Sequence, residues 1–527
     1  LNELSMMSFD GFTPEDFEDA FYHVDVNKED YLETAMYGAG VGGGFQNTNE
    51  LKVLKYDQAM ATEDHVEWTE AVEEEHRKFE AYKVWKPVPK DEVPDDAKVI
   101  TTTWAMKKKA NGTFRARLNG RGFEQVKGVH YNENDIASPV VHDITVRMIL
   151  ILSLMASWFR YLMDVRGAFL YGRFENGEVI YVDVPQGFER FYPRNVLLLL
   201  LRTIYGTKQG AIQFWKEILR AFRFLKYERS VVDPCLYFKW INGKLCLWLT
   251  WVDDCLIVGE KETVLREKEE MKKLFDCDDV GELVEYVGCK IEVNEAERSL
   301  KMTQPVMIQS FNDEFDLPSD GAEPRIPAEA GEVLTGGNKV EERNKVPKKE
   351  QKVYRSGTGK LLHMMRWTRP DVMNSVRECS RYMSGAAQAH LRRMKRIMRF
   401  VRATAKRGLT LKPYGVWDGS PDYEFVIKGL SDSEYGKDAT RRSVNGWSTF
   451  LNGAPASYRS KMMPIIALSV MEAELFSAVL CAQDMLFEMR ILGSMGLKVQ
   501  LPMILEIDNR GAHDFSHNWS SGGQTRH

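Results

Sequence analysis

The segment KLCLWLTWVDDCLIVG, Lys244 to Gly259, places two adjacent acids between two apolar runs rich in β-formers. Such runs, broken by a short polar step, predict a hairpin with Asp253 and Asp254 in its turn. Adjacent carboxylates there are either an exposed acidic turn or part of a metal site. A second apolar run, ending in YLMDVRGAFLYG (Tyr161 to Gly172), puts Asp164 at the end of another predicted strand. Burial at that position is costly unless a cation is bound. The apolar flanks and the third acid on a neighbouring strand favour the metal site.

Carboxylates are the hard oxygen ligands that magnesium prefers. Two such ions about 4 Å apart activate a hydroxyl and stabilise a departing pyrophosphate in nucleotidyl transfer. Asp164 and Asp253 are the expected bridging ligands, with Asp254 nearer the primer end. Upstream, WAMKKKANGTFRARLNGRGF (Trp104 to Phe123) reads as two strands joined at Asn111-Gly112. That hairpin sets Lys107, Lys108 and Lys109 opposite Arg115 and Arg117. It is either a phosphate-binding arm or a solvated basic hairpin.

A length of 527 residues allows three or four units with their own cores. With 44% hydrophobic and 28% charged residues the composition is that of a globular protein, and no apolar run is long enough for a membrane span. The net charge of -5 means that nucleic-acid binding must rest on local patches. Seven cysteines, an odd total without a CxxC pair, argue against a zinc knuckle and a disulfide framework, and predict reduced, mostly buried thiols. The first residue is Leu1 with no signal peptide after it, as expected of a processed fragment.

Four regions are expected. Residues 1–60 read as a flexible leader; its glycine-rich Tyr37 to Phe45 holds a formal GxGxxG (Gly38, Gly40, Gly43), but no strand precedes it. Residues 61–318 form the first folded unit, opened by an amphipathic helix with Trp68, Val72 and Phe79 on one stripe. Residues 319–420 read as a solvated linker followed by a connection region. It carries the basic helix HLRRMKRIMRFVRATAKR, with Leu391, Met394, Ile397, Met398 and Val401 on one stripe. Its basic face is either solvated or in contact with a duplex. Residues 421–527 form the last unit.

WVDD (Trp251 to Asp254) resembles the YVDD box of reverse transcriptases. DVRGAFLYG (Asp164 to Gly172) resembles the DVKTAFLNG box of Ty1/copia polymerases, and LRTIYGTKQGAIQFW (Leu201 to Trp215) their LxxxLYGLKQAPRxW. GFEQVKGVHYNE with ASPVV (Gly122 to Val141), YVDVPQGF, DPCLY and RWTRPDV extend the likeness from about Trp68 to the chain end. The resemblance implies an α+β, multidomain fold: a right-hand polymerase with fingers, palm and thumb, then an RNase H-like α/β domain. It implies RNA-directed DNA synthesis with two Mg2+ ions per active site, Mn2+ being a possible substitute. The implied partners are an RNA template, a DNA primer, the RNA-DNA hybrid and dNTPs, with oligomeric state left open.

Residue by residue, the resemblance makes Phe169 the steric gate against a ribose 2′-hydroxyl. Gln209 and Gly210 fall where the family contacts the incoming nucleotide, and Lys108 with Arg115 or Arg117 where it holds the triphosphate. EFVIKGLSDSEYGKD, IALSVMEAEL and LPMILEIDNRGAH resemble RNase H elements and supply Asp432, Glu474 and Asp508 as metal-binding acids for hydrolysis of the RNA strand. Glu472 points to another helix face. The chain stops at QTRH where the family continues, so the RNase H-like domain is expected to be incomplete. Protease and integrase would lie upstream in the parent polyprotein, and the family implies a cytoplasmic virus-like particle with later nuclear entry. The alternative is a decayed or domesticated copy that only binds nucleic acid.

Overall fold

The computed structural model describes residues 53–517 except 110, 134–135, 176, 319–321, 330–333, 335–343 and 437–439. The glycine-rich stretch from Tyr37 to Phe45 and the terminal QTRH lie outside the described residues. Helix α1 (His65–Ala81) buries Trp68, Ala71, Val72, Glu75 and Phe79, one stripe at helical spacing. That stripe covers a hairpin of β1 (Thr102–Lys108) and β2 (Phe114–Gly120), whose Trp104, Met106, Ala116 and Leu118 are buried beneath it. Gly112 closes the turn at φ +84°, a conformation that glycine adopts without a Cβ penalty. The leader boundary at residue 60 is corrected. Leu54 exchanges two backbone hydrogen bonds with Met106 (2.8 and 2.9 Å), and Tyr56 packs on Trp104, so the first described residues already belong to this core.

The palm is a six-stranded sheet. Helix α2 (Asp143–Met155) precedes β3 (Phe159–Val165); α3 (Gly210–Phe224) precedes β4 (Leu236–Ile241), β5 (Lys244–Trp251) and β6 (Asp254–Gly259); α4 (Lys261–Lys272) and β7 (Cys277–Glu282) follow. The strand order is β7-β3-β6-β5-β4, with the short pair Glu228–Arg229 at the edge. Successive side chains alternate between two cores. Leu162, Leu247, Leu249, Leu256 and Val258 meet α2, whereas Met163, Trp248, Cys255 and Ile257 meet α3 and α4. Because both faces are covered, the strands read as unbroken apolar runs. Buried Asp233 of the DPCLY segment ties this layer together, accepting from His142 N, Cys235 N and Thr145 Oγ1.

Strands β8 (Cys289–Asn294) and β9 (Ser299–Thr303) lead to a helical bundle of α5 (Pro305–Phe315), α6 (Lys348–Trp367), α7 (Met373–Ser380) and α8 (Gln388–Ala403). β10 (Leu409–Leu411) then returns to pair antiparallel with β9. The expected boundary at 318/319 is therefore corrected. Phe311 and Phe315 of α5 share one core with Tyr354, Leu361, Val376, Met394, Ile397 and Val401, so the bundle is a single insertion between paired strands. Part of the basic face of α8 is neutralised within it, Arg399 and Arg402 by Glu323 and Arg396 by Glu329.

The last unit is a four-stranded sheet of β11 (Ile427–Glu434), β12 (Val444–Leu451), β13 (Ala454–Met462) and β14 (Ile504–Ile507), in the order β13-β12-β11-β14 with β14 parallel to β11. Helix α9 (Val470–Ser494) crosses it so closely that a Cβ on Gly429 would lie 2.6 Å from Met485 Sδ and 2.7 Å from Cys481 Sγ. Helix α10 (Arg510–His517) follows. The architecture is of mixed helix and strand and multidomain, consistent with the expected right-hand polymerase followed by an RNase H-like domain. The seven cysteines are unpaired and six of them are buried, as free thiols of a packed interior. Among the described residues, no helix is long and apolar enough to cross a membrane.

Palm and RNase H-like domain share one core. Trp158 of the palm packs on Trp417, and the same apolar cluster runs on through Phe425, Ile427, Leu451 and Met485. At its centre fully buried Asp143 meets three guanidinium groups: Arg147 on α2, Arg366 on α6 (3.3 Å) and Arg459 on β13 (3.0 and 3.1 Å). The three cations hold the Asp143 carboxyl well below its usual range. Arg147 Nε also donates to Ala456 O (2.6 Å), and Tyr458 Oη to Arg366 O (2.7 Å).

Asp143→Ala leaves three cations facing one another, and we expect a loss of about 3–5 kcal/mol in urea unfolding; a loss of a few tenths is the outcome against it. Buried Glu488, which accepts from Thr449, behaves oppositely, since burial pushes its carboxyl up to about 8. The folded state thus keeps a proton that the unfolded chain sheds near pH 4.5, and this group erodes stability as pH rises from there to 8. The Tm of Glu488→Gln relative to the natural chain is accordingly expected to be higher at pH 8 than at pH 5; an equal difference at both contradicts the assignment.

Candidate active sites

β5 and β6 are joined by a two-residue turn, Val252-Asp253, between the paired Trp251 and Asp254. Val252 has φ +56°, rare for a β-branched residue, and the turn puts Asp253 at the tip of the hairpin. Asp253 O accepts from Val165 N (3.0 Å), which fixes the tip against the end of β3. Asp164 on β3 stands opposite Asp254 on one side and Asp278 of β7 on the other. Burial, then the Asp253 charge, pushes Asp164 up to about 6, while Arg115 and Arg117 pull it down. Asp254 is only 3% exposed and lies near buried Tyr286. Paired carboxylates in such surroundings repel, and a divalent cation relieves both the repulsion and the burial.

The fingers hairpin supplies the facing cations. Its register opposes Lys107 to Arg115 and Ala105 to Arg117. Both arginines lie within electrostatic range of Asp164, and Arg115 also of Asp253. Arg117 lies 4.9 Å over the Tyr205 ring, and its buried Nε has no hydrogen-bond partner. Lys108 is corrected. It opposes Phe114 on the other face of the hairpin, 4.3 Å from that ring and 3.2 Å from Asp64, so period-two alternation brings Lys107, not Lys108, to the side of the arginines.

Phe169 sits on a short 3-10 turn (Ala168–Tyr171), edge-on to Tyr205 at 5.2 Å. A Cβ on Gly210 would stand in ordinary contact with the Phe169 ring at 3.4 Å, but only 2.9 Å from Thr207 Oγ1 and 3.2 Å from Ile204 O, so it is the turn before α3 that needs glycine there. Gln209, expected where the family contacts the incoming nucleotide, has its side chain inside the protein. It is 1% exposed, donates to His130 O (2.8 Å) and Glu178 (3.1 Å), and accepts from Gln125 (2.9 Å). The bonds with Gln125 and His130 brace the loop between those residues. Sequence reasoning missed Glu75 and Lys78 of α1 and Tyr205, which surround the same cleft. A lysine one turn from a buried glutamate in an apolar stripe was the available signal.

The second group of acids is tighter. Asp432 on β11, Glu474 on α9 and Asp508 just after β14 offer carboxylate oxygens that all lie within 4.8 Å of one another. Glu474 is 3% exposed; Ser433 donates to its Oε1 from both backbone N (3.2 Å) and Oγ (2.8 Å). Burial, with Asp432 and Asp508 nearby, raises its pKa. Its Oε2 is buried without a partner, a lone pair set for a cation between two exposed carboxylates. Glu472 instead closes the N-terminus of α9, accepting from Leu468 N (2.6 Å) while its own N–H bonds Ser469 Oγ (3.1 Å).

Residues 82–329 match the family model described as reverse transcriptase (RNA-dependent DNA polymerase). The chain is 30% identical over 469 residues to the retrovirus-related Pol polyprotein from transposon TNT 1-94 of Nicotiana tabacum, covering 87% of this chain and 34% of that protein. It is 25% identical over 442 residues to the polyprotein from transposon RE1 of Arabidopsis thaliana, covering 81% and 28%. The chain thus spans about a third of the length of these relatives. Among solved structures, a foamy viral protease-reverse transcriptase in complex with double-stranded DNA aligns with 95% of this chain and 74% of its own at 10% identity and a TM-score of 0.44. Residues 82–329 thus form a reverse transcriptase domain, in a chain similar to the retrovirus-related Pol polyproteins of plant transposons.

Proposed function

We propose that the chain is an RNA-directed DNA polymerase that works by two-metal nucleotidyl transfer. The observation that carries this reading is the crowding of Asp253 against Asp164, itself paired in register with Asp254, at the end of an otherwise apolar sheet, faced by Arg115 and Arg117. Mg2+ or Mn2+ bound to these acids would supply the Lewis acidity that activates a primer 3′-hydroxyl and shields the departing diphosphate. Asp164 and Asp253 hold the charge in place, with Asp254 beside them in the sheet. Arg115 and Arg117 bind the triphosphate of an incoming dNTP by charge-assisted hydrogen bonds, and Phe169 screens its sugar. The template is RNA, the primer DNA, and the product an RNA-DNA hybrid.

Asp432, Glu474 and Asp508 would hold the cations for hydrolysis of the RNA strand in that hybrid. The partnerless Glu474 Oε2 supports this second activity. Both reactions belong to the cytoplasmic particle of a retrotransposon, before nuclear entry.

Extension of oligo(dT) on poly(rA) with dTTP and magnesium is the direct test. Asp253→Asn is expected to lower the rate by roughly a hundredfold or more while hybrid binding stays near that of the natural chain. Binding without extension by the natural, folded chain would favour a decayed, binding-only copy. Glu474→Gln is expected to abolish release of labelled RNA fragments from a hybrid without slowing extension; equal loss of both would sink the division of labour.

A further inference from the structure

Resting on that polymerase reading, we propose that Lys78 of α1 is a third cation of the nucleotide site, contacting the triphosphate of the incoming dNTP, with Glu75 as its positioning residue. Lys78 lies outside the span matched by the reverse transcriptase family, which starts at residue 82. Its side chain nonetheless crosses to the palm. A Cβ on Gly167 would stand 2.8 Å from Lys78 Cε and 3.3 Å from Nζ. Gly167 occupies the turn three residues after Asp164, with φ +62°, so the ammonium lies against the backbone that follows the first palm acid.

The same ammonium is within electrostatic range of Arg115, Arg117 and Asp164. Three cations converging on one cleft repel one another, and burial lowers the Lys78 pKa further. Such an arrangement persists only with compensating negative charge. Glu75, one turn earlier on α1, supplies part of it from within the protein. It is buried, accepts from Leu118 N (3.2 Å) on β2, and is the largest favourable charge on Lys78. Asp164 and Asp253 supply the rest, and where these acids hold cations for the polymerase reaction, the triphosphate is the anion left for Lys78, Arg115 and Arg117. Glycine at 167 belongs to the same device, since a side chain there would displace the lysine.

Lys78→Met is expected to raise KM for dTTP about tenfold, the worth of one charge-assisted hydrogen bond, with the Kd for the poly(rA)/oligo(dT) duplex unchanged; Lys78→Arg should restore most of it. An unmoved KM, or a duplex Kd that rises in step with it, overturns the proposal. Should Lys78→Met not fold, Lys78→Met combined with Glu75→Gln removes both buried charges, and the same separation of KM from Kd is expected. Extension by the natural chain with no KM effect condemns the Lys78 assignment alone. Absence of extension by the natural chain condemns the polymerase reading on which it stands.

Discussion

A single buried carboxylate organises how the parts of this molecule meet. Asp143 starts the palm helix, and its oxygens are shared by arginines from that helix, from the helical bundle and from the RNase H-like sheet. A buried charge is tolerable only when it is paired and hydrogen-bonded. Assembly of the three parts is therefore a condition for folding any of them around this point. The apolar cluster shared through Trp158 and Trp417 follows from the same juxtaposition.

Around that centre, charge is used in two ways. In the interior opposite charges are brought into contact, as in the Asp143 group, whereas at each proposed site like charges are kept close. Asp164 and Asp253 crowd in the palm, as do Asp432, Glu474 and Asp508 in the last domain. Crowding is stable only because the surrounding layers are rigid: β3, β5 and β6 are held from both faces, and α9 presses on β11 at Gly429. Placing reactive groups on regular elements rather than loops fixes them before any ligand arrives.

Much of this was legible in the sequence because the chemistry is local there. Asp253-Asp254 between apolar runs announced the hairpin, although its turn is Val252-Asp253 and Asp254 already belongs to β6, and the turn residue Gly112 announced the basic hairpin. What could not be read was phase and distance. Lys107 and Lys108 are neighbours in sequence, yet only the register of the hairpin decides which one faces Arg115. Gln209 has the right position but is consumed by His130, Glu178 and Gln125, contacts that exist only after folding. Asp143 meets Arg366 and Arg459 across more than two hundred residues of chain. The boundary at 318/319 misled because the stretch is polar, whereas the strand that closes the insertion, Leu409–Leu411, is only three residues long.

The passage from the bundle to the RNase H-like domain shows what a shared core entails. Between Leu411 and Phe425 the chain tucks Trp417 beneath Trp158, bonds Trp417 N to Met155 O (3.0 Å), and turns at Gly419 with no room for a side chain. A protease needs several residues of accessible, extended backbone, and exposing them here means pulling a tryptophan from the interior. This stretch, a natural place to draw a domain border on paper, is thus pinned at its middle by a buried tryptophan. The six-stranded sheet and the last four-stranded sheet are thereby joined through a shared interior rather than by a free tether.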